Sequence, residues 1–161
     1  MITIRPARPD DCALLLSFVR ELAEYEKQPD EVVATEDDFR RDGFGAQRRF
    51  EAVIAERDGE PAGFALWFYN YSTWAGRHGL YLEDLFVRPA HRGQGVGKAL
   101  LVHLARLAVE QGCARYQWQV LDWNTPSIDF YKALGAVVMK EWLTMRVTGE
   151  ALEKLAARGT T

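Results

Sequence analysis

The apolar positions of the chain change period several times, and each change marks an element. Ile2 and Ile4 alternate with Thr3 and Arg5 ahead of Pro6, a short opening strand. Leu14, Leu15, Phe18, Val19, Leu22 and Tyr25 then recur at helical spacing, with Asp10 or Asp11 placed to cap the helix. Thr35 and Asp38 have the spacing of a capping box and predict a short second helix that Gly43 closes. Phe50 to Glu56 reads as a strand and Asp58-Gly59 as a hairpin turn. Ala62 to Tyr71 and Leu80 to Val87 read as two further strands, so nearly continuous in apolar residues that both faces are expected to be covered.

Beyond the third of these strands the period switches to helical. Val96, Leu100, Leu104, Leu107 and Ala108 share one face, and Gly112 supplies the stop. Arg115 to Leu121 reads as a strand with Tyr116, Trp118 and Val120 on one side and Gln117 and Gln119 on the other. Asn124 or Thr125 then caps a helix with Pro126 in its first turn, ending at Gly135. A last strand is expected from about Val137 to Val147, and a terminal helix from Gly149. The predicted order is β-α-α-β-β-β-α-β-α-β-α, a mixed α/β domain without repeats or linkers, read as one domain over residues 1–161.

Composition narrows the class. With 161 residues, 48% hydrophobic and 12% aromatic, the chain has enough apolar surface for a full core, and disorder is excluded as its main state. No window approaches ~18 uncharged apolar residues, so no membrane span is expected. The opening residues do not form a signal peptide. Cys12 and Cys113 make neither a disulfide framework nor a metal spacing, which fits a reduced, cytoplasmic protein. His78, His91 and His103 lack ligand spacing, and no metal is expected.

Net charge is only −3, but its distribution is uneven. Residues 1–42 carry eleven acids against six bases, whereas Leu85 to Val109 holds Arg88, Arg92, Lys98 and Arg106 and no acid. A cation-only stretch suits a polyanionic ligand, and an acidic front suits a cationic one, unless its acids are simply solvated helix faces. One short basic segment in an acidic protein is a poor surface for tracking nucleic acid, so no nucleic-acid partner is expected.

The cation-only stretch contains Arg92-Gly93-Gln94-Gly95-Val96-Gly97-Lys98, which joins a buried strand to an amphipathic helix. Glycines there let the backbone approach a ligand, and the first N–H groups of a helix point at it with the positive end of the dipole. The physical reading is a phosphate cradle. It is neither a P-loop, because Arg92 stands six before Lys98 and Ala99 follows it, nor a dinucleotide fingerprint, because the glycines are spaced G-x-G-x-G.

The segment "LYLEDLFVRPAHRGQGVGKALL" resembles the acetyl-CoA motif of the GNAT N-acetyltransferases, R/Q-x-x-G-x-G/A, with Arg92, Gly95 and Gly97 completing the match. "VLDWNTPSIDFYKALGA" resembles the second element of that family. "ELAEYE", "DGFG" and "YSTWAGRHGLYLED" are similar, more narrowly, to the spermidine/spermine (diamine) acetyltransferases and their thialysine-acetylating relatives. Where the polyamine enzymes read Tyr-Asp-Pro-Trp, this chain has Tyr71-Ser72-Thr73-Trp74, like the thialysine-acetylating branch. The resemblance implies a GNAT-type mixed, mostly antiparallel central sheet flanked by helices, with acetyl-CoA as co-substrate and a homodimer.

It also implies roles for particular residues. Tyr131 would donate a proton to the departing thiolate, although the same ring could simply pack beside Phe130. Glu83 would be the base that takes the amine proton through water, unless an ion pair is what holds it in the strand. Adjacent Asp84 should lie on the opposite face by alternation. A main-chain N–H of Leu85, Phe86 or Val87 would stabilise the oxyanion. Asn124 and Ser127 would contact CoA, though Asn124 equally reads as a helix cap. Tyr25, Glu26, Ser72, Gln117, Trp118, Gln119 and Glu141 correspond to the acceptor pocket. The activity implied is acetyl transfer from acetyl-CoA to the primary amine of a small cation, a thialysine- or lysine-like amino acid or a diamine. The alternatives are a GNAT enzyme for a protein or drug amine and a non-catalytic acyl-CoA-binding regulatory domain.

Overall fold

The computed structural model describes residues 1–159 and contains five strands and five α-helices. The strands are β1 (Ile2–Pro6), β2 (Glu51–Arg57), β3 (Glu60–Ser72), β4 (Arg77–Val87) and β5 (Tyr116–Trp118). They form one sheet in the order β1-β2-β3-β4-β5, antiparallel except where β5 runs parallel to β4. The helices are α1 (Cys12–Tyr25), α2 (Glu36–Phe44), α3 (Val96–Glu110), α4 (Thr125–Ala133) and α5 (Gly149–Ala156). The chain divides into two compact units, Met1–Leu121 with the sheet and α1 to α3, and a second from Asp122 onward with α4 and α5.

In the first unit the sheet buries both faces. Ile54, Phe64, Leu66 and Phe86 pack on one side with Leu15 and Phe18 of α1. Phe18 stacks on Phe64 at 5.2 Å between ring centroids, with planes 3° apart. On the opposite side α3 contributes Val96, Leu100 and Leu104, each 1% exposed or less, as its helical periodicity requires. Burial on two faces explains why β3 and β4 read as nearly continuous apolar runs.

The capping box at α2 forms: Asp38 N–H donates to Thr35 Oγ1 (3.2 Å), and Thr35 N–H donates to Asp38 Oδ2 (2.9 Å). The helix runs one residue past Gly43 to Phe44. Asp11 stands at the N-cap of α1 without a side-chain cap bond. Its carboxylate instead accepts from Arg8 N–H (2.7 Å) and from both terminal nitrogens of Arg5 (2.8 and 3.0 Å). The Arg5 guanidinium holds the Asp11 carboxyl below the usual carboxylate range.

Two strand expectations need correction. The strand expected over 115–121 is paired only over Tyr116–Trp118. The strand expected from Val137 to Val147 does not form. Lys140 N–H turns back to Val138 C=O and Trp142 N–H to Met139 C=O, and Leu143 and Met145 are 83% and 88% exposed. β-propensity describes fit to a pleated, half-buried surface, and the described residues of the second unit hold no strand to supply one.

Candidate active site

The first part of the site is the glycine turn between β4 and α3. Arg88 opens it but is committed internally: its guanidinium donates to Glu21 Oε1 (2.8 Å) and Ser17 Oγ (3.0 Å) and lies 4.6 Å from the Phe18 ring centroid. Arg92 is exposed, donates from Nε to Val87 C=O (2.8 Å), and lies 4.9 Å from the Tyr25 ring centroid and 5.5 Å from that of Phe86. Tyr25 thus supports the cation of the turn.

Gly93 (φ 72°) and Gly95 (φ 87°) occupy left-handed backbone, which glycine adopts without steric cost. Gly95 is the N-cap of α3 and offers no side-chain acceptor. The first helical bond is Ala99 N–H to Gly95 C=O (2.9 Å), so the amides of Val96, Gly97 and Lys98 precede the ladder. Lys98 is exposed, as are Gly93 and Gln94. A Cβ on Gly97 would meet only Val87 Cγ2, at an ordinary 3.6 Å, so packing within the chain does not demand glycine there. The bare, cation-flanked amides fit a pyrophosphate.

The second part is the exit of β4. Leu66 of β3 pairs with Asp84, but the next residue, Trp67, pairs with Leu82. Glu83 is the extra residue, a β-bulge. The bulge overturns the expectation that Glu83 and Asp84 face opposite sides: both line one open cleft of about 360 Å³, with Val19, Phe39, Leu66 and a third acid, Glu31. Asp84 is half-buried, and its carboxyl is pushed up to about 7, first by desolvation and then by the charges of Glu83 and Glu26. Burial also pushes the Glu26 carboxyl up. Glu83 is exposed.

β5 pairs with β4 only as far as Leu82. Arg88 N–H donates to Ala62 C=O on the β3 side, so alternation directs the amides of Leu85 and Val87 to the other edge, which β5 does not reach. Phe86, which pairs with Phe64, faces its partner strand and buries its ring in the core.

The remaining candidates are spread more widely. Gln117 pairs with Tyr81 and accepts a hydrogen bond from Asn70 Nδ2 (3.5 Å), on the sheet face of Leu66 and Asp84. Trp118 pairs with Leu82 and packs on Tyr116 (4.9 Å between centroids), on the α3 face. Gln119 lies just past the strand, exposed. Ser72 shares the face of Leu66 but lies six residues along β3, about 20 Å away at strand rise. It is buried, and its Oγ accepts from Ala75 N–H (3.2 Å), so the sheet does not bring it to the cleft.

In the second unit Asn124 is the buried N-cap of α4 and makes no side-chain cap bond. Ser127 and Tyr131 are four residues apart and share a helix face. Both are half-buried, and the Tyr131 ring centroid lies 5.7 Å from that of Phe130. Glu141 is exposed in the segment that forms no strand. Missed in the sequence were Asp84 as the tuned carboxylate and the cleft wall of α1 and α2. The signal for Asp84 was the Glu83-Asp84 pair in an apolar run. Among the described residues no His, Cys, Asp or Glu cluster is arranged to hold a metal, and no helix is long and apolar enough to cross a membrane.

An anion cradle at a strand–helix turn beside an open strand edge and a carboxylate cleft defines an acyltransferase of the acetyl-CoA-using type. Residues 16–136 match the acetyltransferase (GNAT) family, and the chain belongs to it. It is an acetyltransferase enzyme. It is 42% identical to the thialysine N-epsilon-acetyltransferase of Sus scrofa, with 98% of each chain covered. Over 94 residues, 58% of this chain and 41% of the other, it is 46% identical to an L-ornithine N5-acetyltransferase of Arabidopsis thaliana. Among solved structures, an integron cassette protein from the mobile metagenome of V. cholerae superposes with a TM-score of 0.82 at 28% identity, covering 98% of each chain.

Proposed function

We propose that the enzyme transfers an acetyl group from acetyl-CoA to the terminal primary amine of a small cationic acceptor, a thialysine- or lysine-like amino acid or a diamine. The observation that carries this reading is the bulge at Glu83, which gathers Glu83 and Asp84 in one cleft with the charge of Glu26 nearby. The names of the similar proteins, which act on thialysine and on ornithine, support the same acceptor class.

Bound acetyl-CoA supplies an activated acyl thioester. Arg92, Lys98 and the amides from Gly93 to Lys98 hold its pyrophosphate, and Asn124 and Ser127 are assigned to the CoA arm. An ammonium must lose a proton before it can attack, and with a pKa near ~10 it is protonated at neutral pH. Glu83, through water, takes that proton, and Asp84, with its carboxyl at about 7, is a better acceptor than an ordinary carboxylate. The amides of Leu85 and Val87 donate at the acyl oxygen, and Tyr131 Oη supplies a proton at sulfur. Glu26 and Gln117 orient the acceptor, with Tyr25, Gln119 and Glu141 as outer contacts; Ser72 and Trp118, away from the cleft, take no part in this reading.

In this reading the two units form one catalytic domain, supported by a family match that runs across residue 121. The protein acts in the cytoplasm as a homodimer, supported by the apolar side chains that Val137, Leu143 and Met145 leave exposed; it needs no metal, membrane or nucleic acid. The test is a panel of amines incubated with acetyl-CoA while free thiol is followed. Thialysine, lysine, ornithine and short diamines are expected to release CoA. Release with peptides or aminoglycosides alone would overturn the acceptor class.

A further inference from the structure

The cleft beside Asp84 is built unequally. Two of its three carboxylates, Glu83 and Asp84, sit at the bulge, whereas Val19, Val32, Ala34, Phe39, Phe50 and Leu66 make an apolar wall. Phe39 and Phe50 are fixed edge to face, with centroids 5.8 Å apart. We propose that this wall receives an uncharged tail, so that the enzyme acetylates primary monoamines with alkyl or arylalkyl tails and works faster as the tail lengthens. The inference rests on the acceptor site proposed above and specifies what that site reads beyond the reacting amine.

With an ammonium at Glu83 and Asp84, the following carbons of the acceptor run along Leu66 and the Phe39–Phe50 pair. A second ammonium against that wall would shed water without gaining a partner. Glu31, the third acid of the cleft, is exposed, so solvent and salt screen its attraction. A volume of about 360 Å³ lies in the range of small-molecule sites and exceeds what an ammonium alone would fill. The wall therefore favours carbon over a distant charge.

The test compares kcat/KM at saturating acetyl-CoA for ethylamine, butylamine, hexylamine and phenethylamine against thialysine and 1,4-diaminobutane. Each added methylene from ethylamine to hexylamine should raise kcat/KM about threefold to fourfold, and hexylamine should exceed 1,4-diaminobutane. Ala34→Phe, which fills the wall, should cause a loss that grows with tail length. If that variant fails to melt as a folded protein, Val32→Ser at a half-buried loop position should flatten the same slope. Turnover of thialysine with a flat or falling alkylamine series overturns this inference alone, as does a slope that neither variant changes. Failure of every amine, thialysine included, overturns the acceptor reading and this inference with it.

Discussion

Glu83 has no partner on β3, and for that reason its side chain and that of Asp84 open onto the same cleft. In a regular strand two adjacent acids would be divided between the faces and would scarcely affect one another. Here their proximity joins with burial to keep Asp84 protonated to about pH 7. One inserted residue thus gathers two adjacent acids of an apolar strand in one cleft.

That arrangement has a stability signature. An acid whose folded-state pKa is raised holds its proton longer in the native chain than in the unfolded one. Stability is therefore full below pH ~4 and falls as pH rises toward about 7. Asp84→Asn should leave urea stability near the parental value at pH 4 and raise it by roughly 1–3 kcal/mol at pH 8. Equal gains at both pH values would mean that the carboxyl is not held neutral.

The glycine turn separates folding from binding. Gly97 is free of close contacts, so Gly97→Ala should melt at or above the parental temperature, since alanine gains up to ~1 kcal/mol over glycine in a helix. It should nonetheless weaken CoA binding, because the methyl is added within the cradle, next to the Gly97 amide. Gly95→Asp adds a charge at left-handed backbone and should abolish CoA binding in a still folded protein. Calorimetric titration with CoA reads both, and parental affinity in the folded Gly95→Asp variant would remove the cradle from the cofactor site.

The mostly antiparallel sheet was implied by the family resemblance and not by the spacing, whereas the helical faces and the hairpin were legible because apolar spacing is local. Thr35 and Asp38 announced their capping box for the same reason. The bulge was not legible: an inserted residue leaves no mark on an apolar run, and only the pairing of Leu66 and Trp67 exposes it. Arg88 read as part of a ligand-binding basic stretch because its partner, Glu21, is 67 residues away in sequence. Residues 137–147 have the composition of a strand, but pairing depends on a neighbour that composition cannot supply.

Arg88 consequently belongs to stability. Arg88→Met leaves Glu21 and Ser17 without their guanidinium and ends the contact over the Phe18 ring, at a pair that is 30% and 34% exposed. The expected loss is about 1–2 kcal/mol in urea unfolding, between the values for exposed and buried pairs. CoA affinity should change by less than about twofold, and a tenfold loss would return Arg88 to the phosphate site.

Tyr131→Phe should leave the affinity for acetyl-CoA nearly intact and lower kcat by up to ~10²–10⁴-fold if proton supply to sulfur limits turnover. Pre-steady-state thiol release identifies the step. An unchanged single-turnover rate would make Tyr131 a packing residue beside Phe130.

The two carboxylates are separable by the pH dependence of kcat/KM, which reports groups of the free enzyme. A base with its carboxyl at about 7 is active when deprotonated, so kcat/KM should fall tenfold per unit below that pH. If Asp84 is the group that takes the proton, Asp84→Asn removes this limb and costs ~10²–10⁴-fold. If Glu83 takes it through water, Glu83→Gln carries that loss instead. Asp84→Asn then only deletes a neighbouring negative charge, and most of the rate remains. Glu83→Gln also takes one like charge away from Asp84, so a limb still due to Asp84 should shift downward in that variant. A limb that stays at about 7 in both variants would assign the titration to a group outside the bulge and remove both carboxylates from the proton transfer.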